Sequence, residues 1–474
     1  MAFQDVLATA PLTTVAVTAL LVLLIESLGH KTEMATCWTG VAGLSLALGL
    51  AFGRIGGSPA VDAFGGMVTT GSFANYFTMV FCAAGILSFL LSASYIPKEG
   101  IAHGEYYALI LFAVAGMILM ASAADLVIFF LGLEVMSVSF YVLAGFARTR
   151  LTSNEAALKY FLIGAFATGF LLYGIALVYG ATGSTSITGL PVRAARLAGT
   201  PILLVGFGLL LIGLVFKVAA VPFHMWVPDV YEGAPTTVSG FMSTGGKAAA
   251  VSGFMLAFGP VMVAALPSLR EVLALIAALS MILGNLIAIA QPGVKRMLAY
   301  SSIAHAGYIL TGVVAGNAAG SNGVLFYLMS YTLMNVGAFG VVSILERPDG
   351  STLTFDDCAG LSRRSPWPSG LMALFMFSLA GIPPFAGFFG KYYVFAGAIE
   401  AGYTWLAITG VVMSVVSAYF YLRLVVLMYF KEGPEAGKAM MPPLGAVALI
   451  AAATAIVGLG LFPSVLLNLT AHCF

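Results

Sequence analysis

Four lysines fall inside apolar runs where a charge is expensive: Lys159, Lys217, Lys247 and Lys391. A charged group at the bilayer midplane costs roughly 2.5–3.5 kcal/mol on insertion scales, so such residues mark ion pathways by default. Lys217 stands in GFGLLLIGLVFKVAAVPFHMW (206–226), a run of Leu, Ile, Val and Phe. Pro222 follows it, cannot donate a backbone hydrogen bond, and pushes away the carbonyl of Val218. Lys247 lies mid-run in STGGKAAAVSGF; its G-G-K triplet is no phosphate loop, because Phe241 replaces the first glycine and Ala248 the Ser/Thr. Lys391 follows Pro383 and Pro384 in GIPPFAGFFGKYYVF. The two prolines free the carbonyls of Leu379 and Ala380, which then need water or a side-chain donor.

One acid is placed to work with these lysines. Glu134 sits inside DLVIFFLGLEVMSVSFYVL, either as a protonated carboxyl hydrogen-bonded between helices or as an ion partner to a lysine, with Lys217 the natural one. An opposite charge within ~4–6 Å favours the charged form of both groups, whereas desolvation disfavours it. A pair balanced between those effects switches when one partner moves a few ångströms, which is what a gated proton step requires. Lys159 is closer to a polar connection, so it either joins the pathway or snorkels to the headgroups. His224 and His305 either relay protons, since imidazole titrates near neutral pH, or are hydrogen-bonded packing residues. Ser301 and Ser302 either hold relay waters or serve as small packing residues.

The elements that must position these groups are helices. Of 474 residues 61% are hydrophobic and 8% charged, and the mean hydropathy is +1.03. Soluble domains carry about 25% charged residues, so the chain is expected to be all-α and polytopic in a membrane. Apolar runs of spanning length fall at 11–28, 35–52, 73–95, 106–122, 126–147, 156–180 and 202–224, then at 236–259, 271–290, 298–316, 323–345, 367–395, 403–430 and 442–466. That predicts fourteen transmembrane helices in one membrane domain. The N-terminal MAFQDVLATAPLTT lacks the basic start of a signal peptide, so the first run is expected to be retained. Cys37, Cys82, Cys358 and Cys473 include no C-x-x-C, which argues against an iron–sulfur or zinc site on this chain. No basic run or finger spacing points to nucleic acid.

Lysine and arginine in the connections set the orientation. The odd connections hold Lys31, Lys98, Arg148, Arg150, Lys295, Arg296, Arg347, Arg363, Arg364, Arg423, Lys431 and Lys438. The even ones hold Arg54, Arg193, Arg196 and Arg270. Odd connections are therefore expected in the cytoplasm and both termini outside. An internal repeat is also visible: Val221-Pro222-Phe223-x-x-Trp226 recurs as Pro383-Pro384-Phe385-x-x-Phe388, offset by 162 residues. It pairs spans 4–8 (106–259) with spans 9–13 (271–430), leaving helices 1–3 (1–105) and helix 14 (442–466) outside. Five spans per unit force the copies into opposite orientation, with broken helices 7 and 12 corresponding. Interrupted helices in two inverted halves point to an ion site.

Four stretches together resemble the antiporter-like subunits of respiratory complex I, the subunit N family of bacterial NADH:quinone oxidoreductase above all. They are ALKYFLIGAFATGFLLYG (157–174), VFKVAAVPFHMWVPDVYEGAPT (215–236), KRMLAYSSIAHAGYIL (295–310) and LAGIPPFAGFFGKYYVF (379–395). The sister subunits L and M and the Mrp-type antiporters share the fold, the span-five glutamate and the span-seven lysine. Lys391, where M and Mrp subunits typically have glutamate, and the end of the chain after span fourteen favour N. The resemblance implies fourteen helices with inverted repeats. It also implies Glu134 and Lys217 as the first half-channel pair with Lys159 beside them, Lys247 as central carrier and Lys391 at the exit. It implies other membrane-arm subunits as partners, the antiporter-like subunit M and small subunits such as K, and surrounding lipid in the bacterial inner membrane. NADH, FMN, iron–sulfur clusters and quinone are expected on other subunits, with no cofactor here. Two rival expectations are an Mrp-type cation/proton antiporter subunit and a scaffold of the membrane arm.

Overall fold

The computed structural model describes residues 2–29, 32–57, 60–347, 352–433 and 439–474. Its helices are α1 (Ala10–Leu28), α2 (Glu33–Phe52), α3 (Ser72–Lys98), α4 (Glu105–Ala121), α5 (Leu126–Ala144), α6 (Leu151–Thr182), α7 (Pro201–Val218) and α8 (Trp226–Gly233). They continue as α9 (Thr236–Ala264), α10 (Pro267–Ile289), α11 (Val294–Ala315), α12 (Ala318–Leu345), α13 (Pro366–Ala380), α14 (Ala386–Glu400), α15 (Thr404–Phe430) and α16 (Pro443–Leu461). Short helices and one two-stranded hairpin, Val61–Ala63 with Val68–Thr70, lie in the connections.

Twelve of these helices are long and apolar enough to cross a membrane. The other two expected spans differ in form. The one at 106–122 is the 17-residue α4, and the one at 367–395 is split into α13 and α14. The chain is an all-α polytopic membrane protein. Proline opens α7, α10, α13 and α16, where a missing N–H costs nothing. Helices α11 and α12 are buried along nearly their whole length and form the centre of the bundle, while α1, α6 and α15 turn many large apolar side chains outward.

Bare glycine surfaces let neighbouring helices touch. A Cβ on Gly116 of α4 would lie 2.6 Å from the Gly132 carbonyl oxygen of α5, and one on Gly132 would lie 2.7 Å from that of Gly116. The hairpin of α10 and α11 does the same, since a Cβ on Gly307 would lie 2.6 Å from the Ala277 oxygen. Backbone cannot step aside as a side chain can. Gly307→Leu is therefore expected to cost more than the 1–3 kcal/mol typical of an overpacked core. The check is the amount of chain recovered in intact membrane complexes on a native gel.

Contacts sort the connections into two sides. On one, Lys98 after α3 donates to the carbonyl of Glu346 after α12, and Lys295 at the start of α11 lies 3.5 Å from the Glu346 carboxylate. Arg150 before α6 pairs with Glu99 after α3, and Arg296 of α11 reaches Asp229 and Glu232 of α8 at 3.0 and 2.7 Å. On the other, Arg270 of α10 donates to the carbonyls of Val314 and Ala315 at 2.7 Å each. There too Tyr403 donates to Glu271 at 2.7 Å, and Thr185 donates to Asp125 at 2.5 Å. Odd connections thus meet odd and even meet even, as alternating spans require. Two residues depart from the charge sorting: Lys295, read as a connection residue, is buried within α11, and Arg423, counted with the thirteenth connection, lies inside α15, seven residues before its end. Lys31 and Lys438, counted for the orientation, lie outside the described residues.

Candidate functional site

Both expected breaks are present, and they are built alike. Helix α7 stops where Ala219 adopts a left-handed conformation (φ 64°), and α13 stops where Gly381 does (φ 86°). Those two positions are again 162 residues apart. A left-handed turn ends the intrahelical ladder, and for a residue with a Cβ it costs roughly 1–2 kcal/mol. The Val221–Pro222 and Pro383–Pro384 peptide bonds are cis. Loose backbone groups at the first break are collected: Val221 N–H donates to Ser280 at 2.9 Å, and the Trp226 indole donates to the Phe216 carbonyl at 3.3 Å.

Each break places an ammonium at the negative end of a half-helix. Lys217 occupies the last turn of α7 and donates to Ser137 Oγ at 2.7 Å and Tyr141 OH at 3.5 Å. The rings of Tyr141, Tyr160 and Phe216 lie 5.5–5.8 Å from its nitrogen, within cation–π range. Lys391 reaches back from α14 to the last carbonyls of α13, those of Leu379 and Ala380, at 3.1 Å each. These are the two acceptors that the double proline was expected to strand. The Tyr308 ring lies 4.8 Å beneath this ammonium. Helix C-termini favour cations, so both lysines are held by helix dipoles and neutral oxygens.

Lys247 lies between them on α9, directly after a π-turn at Met242–Gly246 and ahead of a second at Phe254–Phe258. Its ammonium donates to the carbonyl and to the hydroxyl of Ser302 on α11, the latter at 2.7 Å, above the Tyr331 ring at 5.5 Å. A hydrogen-bonded chain starts beside it. Ser301 meets Tyr421 OH at 2.5 Å, Tyr421 OH meets His305 Nε2 at 3.1 Å, and His305 Nδ1 meets Tyr327 OH at 2.7 Å. The His305 ring is 5.6 Å from that of Tyr308, the ring beneath Lys391. His305 is therefore engaged at both nitrogens and lies between two of the lysines.

One expectation needs correction, and two residues that were left open are placed. Glu134 does not form an ion pair with Lys217. One of its carboxylate oxygens is buried with no hydrogen-bond partner, and the ammonium is taken by Ser137, one turn further along α5. Serine at i+3 shares the face of Glu134, and that spacing was the available signal. Lys159 is not sequestered: its side chain is 41% exposed and pairs with Glu155 at 2.6 Å and Asp229 at 3.1 Å. Helix α6 begins at Leu151, earlier than the apolar run at 156, yet the polar end keeps Lys159 at the surface. His224 lies half-buried in the first break with Nδ1 unpartnered, and no hydrogen bond joins it to a lysine. The sequence reading also passed over Tyr141, Tyr308, Tyr327, Tyr331 and Tyr421, whose hydroxyls or rings contact the functional groups.

The transmembrane family described as NADH:quinone oxidoreductase/Mrp antiporter matches residues 123–417. NADH-quinone oxidoreductase subunit N of Trichlorobacter lovleyi is 46% identical over 446 residues, covering 92% of this chain and 90% of that protein. This chain belongs to the NADH-quinone oxidoreductase subunit N family. Another of its members, subunit N 1 of Chloroherpeton thalassium, is 45% identical over 475 residues, covering 99% of this chain and 98% of its own length. A chain in the structure of respiratory complex I from Thermus thermophilus with bound aureothin is 37% identical, with a TM-score of 0.83 over 97% of this chain and 99% of that one. The family match at 123–417 takes in Glu134, Lys217, Lys247, His305 and Lys391 together.

Proposed function

We propose that this chain is a proton-translocating subunit in the membrane arm of a bacterial NADH:quinone oxidoreductase. The observation that carries the reading is the row of buried lysines. Lys217, Lys247 and Lys391 are each held by hydroxyls, carbonyls and aromatic faces, and no carboxylate pairs with any of them among the described residues. An ammonium buried without a counter-charge adds nothing to stability that an apolar side chain would not supply. Within a membrane such a group is retained for ion movement. In this reading Lys217 loads from the side of the odd connections, Lys247 is the central carrier, and His305 with its tyrosines hands protons toward Lys391. Glu134 biases the Lys217 step from one helical turn away.

The same reading takes residues 106–259 and 271–430 as inverted halves of five helices, with helices 1–3 and helix 14 packed around them. It places the odd connections in the cytoplasm, both termini outside, and the chain in the bacterial inner membrane. Redox chemistry with NADH, FMN, iron–sulfur clusters and quinone belongs to other subunits. Neighbours resembling subunits M and K contact this one, and lipid covers the outward apolar faces. Relatives named as oxidoreductase subunits favour this over a free-standing cation/proton antiporter.

Lys217→Ala and Ser137→Ala in the assembled complex test the reading against a scaffold role. Both variants are expected to assemble, and Lys217→Ala to lose most NADH-driven proton uptake. Ser137→Ala should lose less, since Tyr141 remains beside the ammonium. Full pumping by an assembled Lys217→Ala complex would establish the scaffold.

A further inference from the structure

A second set of ionisable groups lies away from the lysine row, where the odd connections meet. Glu346, 6% exposed, is the residue after α12. Its carboxylate accepts hydrogen bonds from Thr236 of α9 at 2.5 Å and Tyr95 of α3 at 3.1 Å, and faces Lys295 of α11 at 3.5 Å. Lys295 also donates to the Ala234 carbonyl at 3.1 Å, and Lys98 to the Glu346 carbonyl. Near this cluster, Glu99, whose side chain is 1% exposed, pairs with Arg150, which is 26% exposed. Four helices therefore converge on one carboxylate, with a second buried carboxylate near it.

The two acids are shifted in opposite directions from the ordinary value. For Glu346, burial pushes the carboxyl up, but Lys295, the hydrogen bonds from Thr236 and Tyr95, and Arg150 outweigh it and hold it below the ordinary value. For Glu99, burial dominates and raises the carboxyl, opposed by Arg150 and reinforced by the Glu346 charge. Neighbouring acids pushed apart in this way are the arrangement in which one gives a proton and the other takes it.

Polar groups also continue inward from Glu346. Thr236 opens α9, the helix that carries Lys247 eleven residues later, about 16 Å at 1.5 Å per residue. Partway along, Ser243 accepts a hydrogen bond from Asn335 Nδ2 at 2.6 Å. The amide oxygen of Asn335 and the hydroxyl of Tyr331, beneath Lys247, are fully buried with no hydrogen-bond partner among the described residues. Buried polar atoms without partners are rare, and each calls for a reason. On α11, Lys295 and Ser302 are seven residues apart and share a face, so the residue that faces Glu346 and the one that holds Lys247 form one stripe.

We propose that Glu346 is a proton relay of a second uptake route, leading from the face of the odd connections between α3, α9, α11 and α12 to Lys247 without passing Lys217. The inference rests on the reading of this chain as a proton carrier. A proton arriving past Glu99 protonates the Glu346 carboxylate and breaks its pairing with Lys295. Release of that proton inward toward Ser243 restores the carboxylate and the ion pair, so no charge is left behind. The groups facing Glu346 are Lys295 from α11, Tyr95, Lys98 and Glu99 from α3 and its end, Arg150 from the segment before α6, and Thr236 from α9.

The test uses the complete oxidoreductase in membrane vesicles, carrying Glu346→Gln, Glu346→Asp or Lys247→Met in this chain. NADH oxidation, proton uptake across pH and the amount of assembled complex are measured for each. Glu346→Gln keeps the shape and hydrogen-bonding capacity but holds no proton. Its share is read where Lys217→Ala has closed the other route: there it is expected to cut the remaining proton uptake per assembled complex by roughly tenfold or more, the low side of what a positioned proton-transfer group contributes. Glu346→Asp is expected to restore uptake with a displaced pH profile. Unchanged uptake and an unchanged profile in Glu346→Gln would overturn the proposal. If Glu346→Gln does not assemble, Thr236→Val removes the hydroxyl next to the carboxylate and leaves the ion pair. Lower uptake then supports the route, and normal uptake overturns it. If Lys247→Met also pumps normally, the carrier reading itself fails; if Lys247→Met is inactive and the Glu346 variants are normal, only this route fails.

Discussion

Replacing Lys247 with methionine is expected to stop NADH-driven proton uptake while leaving the bundle folded. Among the described residues the ammonium donates to the two oxygens of Ser302 alone, so the variant forfeits those contacts and strands one hydroxyl. A buried group left unsatisfied costs about 1–3 kcal/mol, below the roughly 5–15 kcal/mol by which proteins are stable. Loss of the transferable proton matters far more, since positioned transfer groups are worth roughly 10²–10⁴-fold in rate. Lys247→Arg makes the comparison sharper. Guanidinium supplies charge and donors but is not deprotonated in proteins, so the arginine variant should assemble well and still fail to pump. Proton uptake recorded beside NADH oxidation, in vesicles matched for assembled complex, reads both outcomes. Pumping by the arginine variant would show that a fixed charge at position 247 is sufficient.

The second large effect is expected at Tyr421. Among the described residues its hydroxyl alone joins Ser301 to His305, at 2.5 and 3.1 Å, and it arrives from α15, more than a hundred residues away in sequence. Tyr421→Phe removes one oxygen from a fully buried site and keeps the ring, so packing is nearly unchanged. If protons pass from Lys247 toward Lys391 along Ser301, Tyr421 and His305, uptake should fall by roughly 10–100-fold, part of the range for a lost transfer group. His305→Gln should fall as far, because the amide keeps hydrogen bonds to Tyr327 and Tyr421 but carries no titratable proton. A Tyr421→Phe complex that pumps at the normal rate would remove the chain from consideration.

The features that sequence revealed are those whose physics is local. Proline at 222, 383 and 384 removes donors at fixed positions, so the breaks and the stranded Leu379 and Ala380 carbonyls were readable in advance, and Lys391 is their donor. Apolar run length gave the helices, with errors of a few residues where polar ends continue a helix, as in α6. What escaped depends on which residue of one helix faces which of another. Lys217 chooses Ser137 over Glu134, and only the way the Lys217 side chain reaches α5 decides between two groups one turn apart. Lys295 looked like a loop charge because it stands among polar residues, yet α3, α9 and α12 close over it. The tyrosines that link His305 could not be told from the other aromatics of a membrane helix, since nothing in their spacing distinguishes a working hydroxyl from a packed ring.

The winding of α9 has its own outcome. Each π-turn, at Met242–Gly246 and Phe254–Phe258, accommodates a surplus residue in an otherwise regular helix. One residue corresponds to about 100° of azimuth in an α-helix, so the bearing of Lys247 is fixed by a local fault and not by the 3.6-residue rhythm of its neighbours. Losing a single amino acid from 242–246 would let the helix run on regularly with the amine still bearing on Ser302, whereas an α-helical path through all five residues would turn it about 100° away.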